Sequence, residues 1–151
     1  MSRHGAARCP RDLSGDRRAT TTVEFALCSL AMVSLVVGFL EFGRLAWTFE
    51  VLQEAAMEGA RCMGLRAPSC ASGGTYNAAN TTSYVVARAK ARGVTIAAST
   101  VTLTTAATCG GASGFSRVAI SFRFAPVVPG PVTPLADGFT VNTSVCFPTS
   151  A

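Results

Sequence analysis

The 151-residue sequence has a single histidine, His4, and after Glu58 a single acidic residue, Asp137. A histidine-based triad needs its base beside a serine or cysteine, and paired-carboxylate chemistry needs two acids, so the residues after Glu58 can assemble neither. No two of the six cysteines form a C-x-x-C pair, which argues against a zinc site. The glycine-rich stretch 110–114 lacks the lysine and following hydroxyl of a phosphate loop and lies between two strand-like runs, so it reads as a hairpin loop. The +5 net charge is not gathered into a basic face, which removes nucleic acid as a partner. The expectation is therefore a protein that is not an enzyme, with no cofactor, no metal and no small-molecule substrate.

What the sequence does have is one long apolar run. Residues are 49% apolar and only 14% charged, and the excess sits between Val23 and Phe49. Residues 20–40 as one helix span about 31 Å, close to the ~30 Å of a bilayer's hydrocarbon core. Ahead of Thr20 lie Arg3, Arg8, Arg11, Arg17 and Arg18 against Asp12 and Asp16, a basic leader that predicts a cytoplasmic N-terminus and an extracytoplasmic remainder. Glu41-Phe42-Gly43-Arg44 offers no signal-peptidase site, and Cys28 stands too early for a lipoprotein. The alternative is the buried core helix of a soluble protein, since Glu24 shortens the uncharged run to residues 25–40. Trp47, just past the run, suits an interfacial aromatic belt.

Helical spacing continues beyond the run. No proline interrupts residues 41–62; Gly64 and Pro68 supply the stop, so one helix is expected over about 20–63, with residues 41–66 as its extension outside the membrane. Glu50, Glu54 and Glu58 recur at four-residue spacing with Arg61 three further on, and Glu41 and Arg44 precede them. This face either meets a partner that supplies cations or is simply solvated. Ala55, Gly59 and Ala60 form a small-residue strip that fits a foreign helix or the chain's own sheet equally well.

Residues 67–151 read as a small α+β ectodomain. A turn-rich loop over 66–75 is followed by a short helix over 77–92, stopped by Gly93. Alternating β-branched runs at 100–105, 117–124 and 139–145 predict an antiparallel sheet of three or four strands as a meander. Cys62, Cys70, Cys109 and Cys146 all follow the span, and an even number on an oxidising side suggests two disulfides. The meander brings the ends of its first and third strands to one edge, which favours Cys109–Cys146 and leaves Cys62–Cys70 to staple the loop to the helix end.

Glu24 remains to be explained, because a carboxylate at the membrane entrance wants a counter-charge. Arg17 and Arg18 are two candidates; the α-amino group of a neighbouring molecule cut just before Thr20 is another. The blocks Arg17-Arg18-Ala19-Thr20-Thr21-Thr22-Val23-Glu24-Phe25-Ala26-Leu27, Glu41-Phe42-Gly43-Arg44, Leu52-Gln53-Glu54-Ala55-Ala56 and Glu58-Gly59-Ala60-Arg61 resemble the N-terminal region of TadE-like proteins, minor pseudopilins of the tight-adherence (Tad, Flp) pilus machinery. The resemblance covers about the first 65 residues. It implies a pilin-like fold, a cytoplasmic leader over 1–19, and cleavage between Ala19 and Thr20 by a prepilin-type peptidase, with Ala19 standing where glycine is commoner. It further implies that Glu24 pairs subunits and that the protein resides in the bacterial inner membrane. Its partners would be a companion pseudopilin, the major Flp pilin, an inner-membrane Tad platform and a cytoplasmic ATPase.

Overall fold

A computed structural model describes residues 17–127 and 138–149. His4, Cys9, Asp137 and most of the basic leader lie outside the described residues. Helix α1 (Arg17–Gly64) is followed by a two-strand hairpin, β1 (Ala71–Ser72) and β2 (Thr75–Tyr76), then helix α2 (Ala78–Ala91), a single 3-10 turn at Ala98–Thr100, and strands β3 (Val101–Cys109), β4 (Ala112–Phe124) and β5 (Phe139–Pro148). This is an α+β chain in which a long apolar helix leads into a small sheet domain. Two compact units divide it, 1–37 and 38–151.

α1 is long and apolar enough to cross a membrane. In lipid a helix is the form that satisfies every backbone amide and carbonyl within the segment itself. Its hydroxyls are also satisfied internally: Ser29 Oγ donates to the Ala26 carbonyl at 2.9 Å and Ser34 Oγ to the Leu30 carbonyl at 2.8 Å. The large apolar side chains from Val23 to Leu40, Phe25 and Phe39 among them, are exposed except for the half-buried Val37. Among the described residues no core covers this stretch, which fits a membrane anchor better than the buried helix of a soluble protein.

From Val51 onward the same helix is the spine of the second unit. Leu52, Ala56 and Ala60 are fully buried in one core with Val85 and Ala89 of α2 and Val118 and Ile120 of β4. The extension therefore belongs to the folded domain. At Gly59 a Cβ would collide with the Val85 Cγ2 methyl and sit 3.6 Å from Val118 Cγ2, so this one glycine lets α2 and the sheet close on α1 together. α1 stops where expected. Past Gly64 the chain turns at Arg66, in the left-handed region at φ 50°, and the Ala67 amide donates back to the Cys62 carbonyl at 3.0 Å.

The 66–75 stretch holds more structure than a turn-rich loop. Gly73 and Gly74 both take positive φ, the mark of a tight hairpin turn, and zip β1 onto β2. Asn77 then caps α2, its Oδ1 accepting from the Asn80 amide at 3.0 Å. The sheet is the expected meander, three strands in the order β3-β4-β5, antiparallel throughout. Ser116, Val118, Ile120 and Phe124 alternate inward along β4. Its strands run longer than their β-branched cores because Gly110 and Gly111, again at positive φ, connect β3 to β4 in two residues.

Both disulfides are the pairs favoured by the sequence, Cys62–Cys70 and Cys109–Cys146. The second joins residues inside β3 and β5, where the sequence argument set them just past the strand ends. Register shifts on either side of Ala107 bend β3 near its cysteine. Cys28 is a free thiol on the exposed apolar part of α1.

Candidate functional site

The candidates for processing, subunit pairing and partner contact sit on α1, in three groups. The first lies at its start. Ala19 and Thr20 are within the helix, so the bond between them is helical in the uncleaved chain. Glu24 follows one turn later, its side chain exposed; among the described residues nothing pairs with its carboxylate. An exposed acid on a helix of this hydropathy is costly in lipid unless a counter-charge meets it.

The second group is the acidic face that α1 presents within the second unit. Arg92 of α2 grips Glu54 with both terminal nitrogens. Arg88, one turn earlier on α2, places Nε 2.8 Å from Glu58 Oε2, although its N–H is not aligned for a hydrogen bond to that oxygen. The two pairings run in opposite directions along the helices, so α2 lies antiparallel to α1. Arg88 is further held by Tyr84, whose hydroxyl accepts from Nη2 at 3.0 Å, and the guanidinium carbon lies 5.0 Å from that ring's centre. Its pKa is raised above the usual guanidinium value by the Tyr84 hydrogen bond first and the Glu58 charge second.

Glu41 and Arg44 form a third arrangement. Arg44 Nη1 lies 3.0 Å from each Glu41 carboxylate oxygen, and the Val127 amide donates to Oε1 at 3.2 Å. Glu41 is 7% exposed, while the Arg44 guanidinium lies 5.4 Å from the centre of the Phe124 ring. Of the six residues expected on a partner-facing surface, four are thus engaged within the chain: Glu41 with Arg44, Glu54 with Arg92, Glu58 with Arg88. Glu50 and Arg61 are exposed, and among the described residues neither side chain has a partner in an ion pair. The small strip of Ala55, Gly59 and Ala60 is buried by the chain's own α2 and β4.

Arg61 does border a cleft of about 320 Å³ with Glu58, Leu65, Ser69, Tyr84 and Arg88. Ser69 Oγ lies 3.4 Å from Cys62 Sγ at its edge. Two charges of α2, Arg88 and Arg92, were not among the sequence candidates. Their four-residue spacing matches that of Glu54 and Glu58, and this complementarity is the signal that would have found them. The contact between Glu41 and Val127 has no such signal.

Residues 19–61 match the family model described as TadE-like protein. The matched segment begins at Ala19, includes Glu24, and ends at Arg61, so it covers α1 almost entirely and leaves α2 and the sheet outside. No curated protein and no solved structure matches the chain.

Proposed function

We propose that this chain is a pseudopilin-like, non-enzymatic subunit of Tad/Flp pilus assembly, anchored by α1 in the bacterial inner membrane with its N-terminus cytoplasmic. The observation that carries the reading is the TadE-like match over 19–61, which falls on a membrane-length helix bearing an exposed acid, Glu24, that has no partner among the described residues. In this reading a prepilin-type peptidase cuts between Ala19 and Thr20. The new amine of one subunit then neutralises Glu24 of another, and the contact orders subunits at the base of a fibre. A companion pseudopilin, the major Flp pilin and the inner-membrane Tad platform are the partners. Sequencing the mature N-terminus tests the cleavage: a chain starting at Thr20 is expected. Replacing Glu24 by Ala is expected to abolish pilus formation and crosslinking to partner subunits, and unchanged piliation would overturn the pairing.

A second reading is favoured by one observation, that the match stops at Arg61 and leaves the disulfide-bonded sheet outside it. The ectodomain would then be a tethered binding module that never enters a fibre. In that case Glu24→Ala leaves partner capture by the ectodomain intact.

A further inference from the structure

We infer that the ectodomain is seated directly on the bilayer that holds α1, with the headgroup–acyl boundary occupying an apolar groove between α1 and the start of β5. Glu41 comes one residue after the hydrocarbon-length segment 20–40, and the Val127 amide, just past the end of β4, donates to its carboxylate at 3.2 Å. Phe139 opens β5 directly opposite Phe124, the last residue of β4. The sheet therefore reaches down to the level at which the helix leaves the lipid, and no stalk of bare helix separates the two.

At this level the surface is apolar. Phe42, Leu45, Phe49, Phe139 and Val141 line a groove of about 340 Å³. Phe42 is 67% exposed and Val127 67%, with Phe49 and Phe139 also open. This patch continues the exposed Phe39, one turn earlier on the same helix, so it extends the apolar surface of the span. Aromatic side chains concentrate at bilayer interfaces, where an apolar ring and a wet edge are both accommodated.

Charge placement agrees. Glu41 and Arg44 are the only charged residues of α1 between Glu24 and Glu50. They neutralise each other, and the acid is buried besides, so the hydrocarbon boundary is not forced to stop at Leu40. A span of ~20 residues counted from Phe25 ends at Arg44, whose long side chain can reach the headgroups. Trp47 then lies about 4.5 Å and Phe49 about 7.5 Å past the boundary at 1.5 Å per residue, which puts Trp47 inside a headgroup layer of about 5–7.5 Å per leaflet and Phe49 at its outer edge. The same frame returns Glu24 to the opposite headgroup edge, where an amine or a neighbouring subunit can still meet it.

The test uses the full chain in lipid nanodiscs at one copy per disc, with lipids brominated either near the headgroup or near the chain terminus. Trp47 is the only tryptophan, and Phe139→Trp in a Trp47→Phe background moves the probe to β5. At both positions the expected result is blue-shifted emission, stronger quenching by the shallow bromines than by the deep ones, and protection from aqueous iodide. Iodide quenching without bromolipid quenching overturns the inference, as does protection that appears only with two copies per disc, which would make a second chain the occupant. Should Phe139→Trp fail to fold, the native Trp47 gives the same readout. The inference rests on α1 as an anchor and not on the pilus role. A chain that alkaline carbonate strips from membranes sinks the anchor itself, whereas an integrated chain with water-accessible tryptophans sinks only the seating.

Discussion

Glu54 and Arg92, thirty-eight residues apart in sequence, form a two-pronged ion pair that ties the middle of α1 to the end of α2. Glu58 and Arg88 form a second, single-contact ion pair one turn along. The side chains are between 33% and 53% exposed, so solvent screens both pairs, and the Glu54–Arg92 pair contributes about 0.2–1 kcal/mol. The exposed stripe of like charges is thus balanced by the molecule's own second helix. Glu54→Arg alone is expected to lower stability by about that amount, because it sets two cations against each other, and adding Arg92→Glu should recover most of it. Denaturant titration of the detergent-solubilised chain measures the cycle; a double variant no better than the single one would show that the pair contributes nothing.

Gly59 gives a sharper contrast. A methyl group there meets Val85, a β-branched side chain with little rotamer freedom inside a helix, and Val118 lies behind it. Overpacking of this kind costs about 1–3 kcal/mol, against which alanine's better helix propensity returns at most about 1. Gly43, on the same helix, has nothing within 4 Å of the equivalent Cβ. Gly59→Ala should therefore destabilise the domain while Gly43→Ala is neutral or mildly stabilising, a difference in midpoint that thermal unfolding of the two variants reads directly. Equal effects would remove the close approach of α1 and α2 at this point.

Much of this architecture can be read from single residues with local consequences. Gly64 with Pro68 ends α1, Asn77 and Gly93 bracket α2, and alternation marks the three strands of the meander. The parts that could not be read are those fixed by distant contact or by very short elements. β1 and β2 are two residues each, too few to show a period, and only the paired glycines between them hint at a turn. β3 and β4 were expected to be shorter because Cys109 to Gly114 has loop composition, yet a two-residue glycine turn lets pairing run through it. The acidic face is visible in the sequence, but whether a partner's cations or solvent meets it stays open there, because nothing local places α2 beside it. Ala19, Thr20 and Glu24 are of a different kind: their proposed roles lie in contacts between molecules, which packing within one chain does not express.

Glu41 illustrates a contact that only the folded chain reveals. Its carboxylate accepts from Arg44 and from the Val127 amide, eighty-six residues away, in a site where the acid is 7% exposed. Removing one partner of a buried hydrogen bond leaves the other unsatisfied at a cost of about 1–3 kcal/mol. Glu41→Ala should consequently unpin the chain beyond β4, and amide hydrogen exchange at Val127 should accelerate by about tenfold for each 1.4 kcal/mol lost locally. Glu41→Gln, which keeps an acceptor oxygen, should retain part of that protection. If Val127 exchanges at the same rate in all three proteins, the carboxylate does not hold the strand end.

The two disulfides should yield to reductant in a fixed order. Cys62 is 6% exposed and Cys70 fully buried, with Thr81 and Asn77 closing over the Cys70 carbonyl. Cys109 and Cys146 are only partly buried on the sheet. Thiol–disulfide exchange requires the attacking thiolate to reach a sulfur, so access sets which bridge opens first. Brief treatment with a mild reductant followed by alkylation should label Cys109 and Cys146 ahead of Cys62 and Cys70 in a peptide map. Opening the bridge between β3 and β5 releases a link across 37 residues of chain, for which the loop-entropy estimate is a loss of about 4 kcal/mol, against about 2.5 for the link of 8 near the helix end. The bridge that opens more easily is therefore also the one whose loss weakens the domain more, and partially reduced protein should unfold at lower denaturant even while the Cys62–Cys70 bridge is intact. Labelling in the reverse order would mean that the end of α1 opens more readily than the sheet.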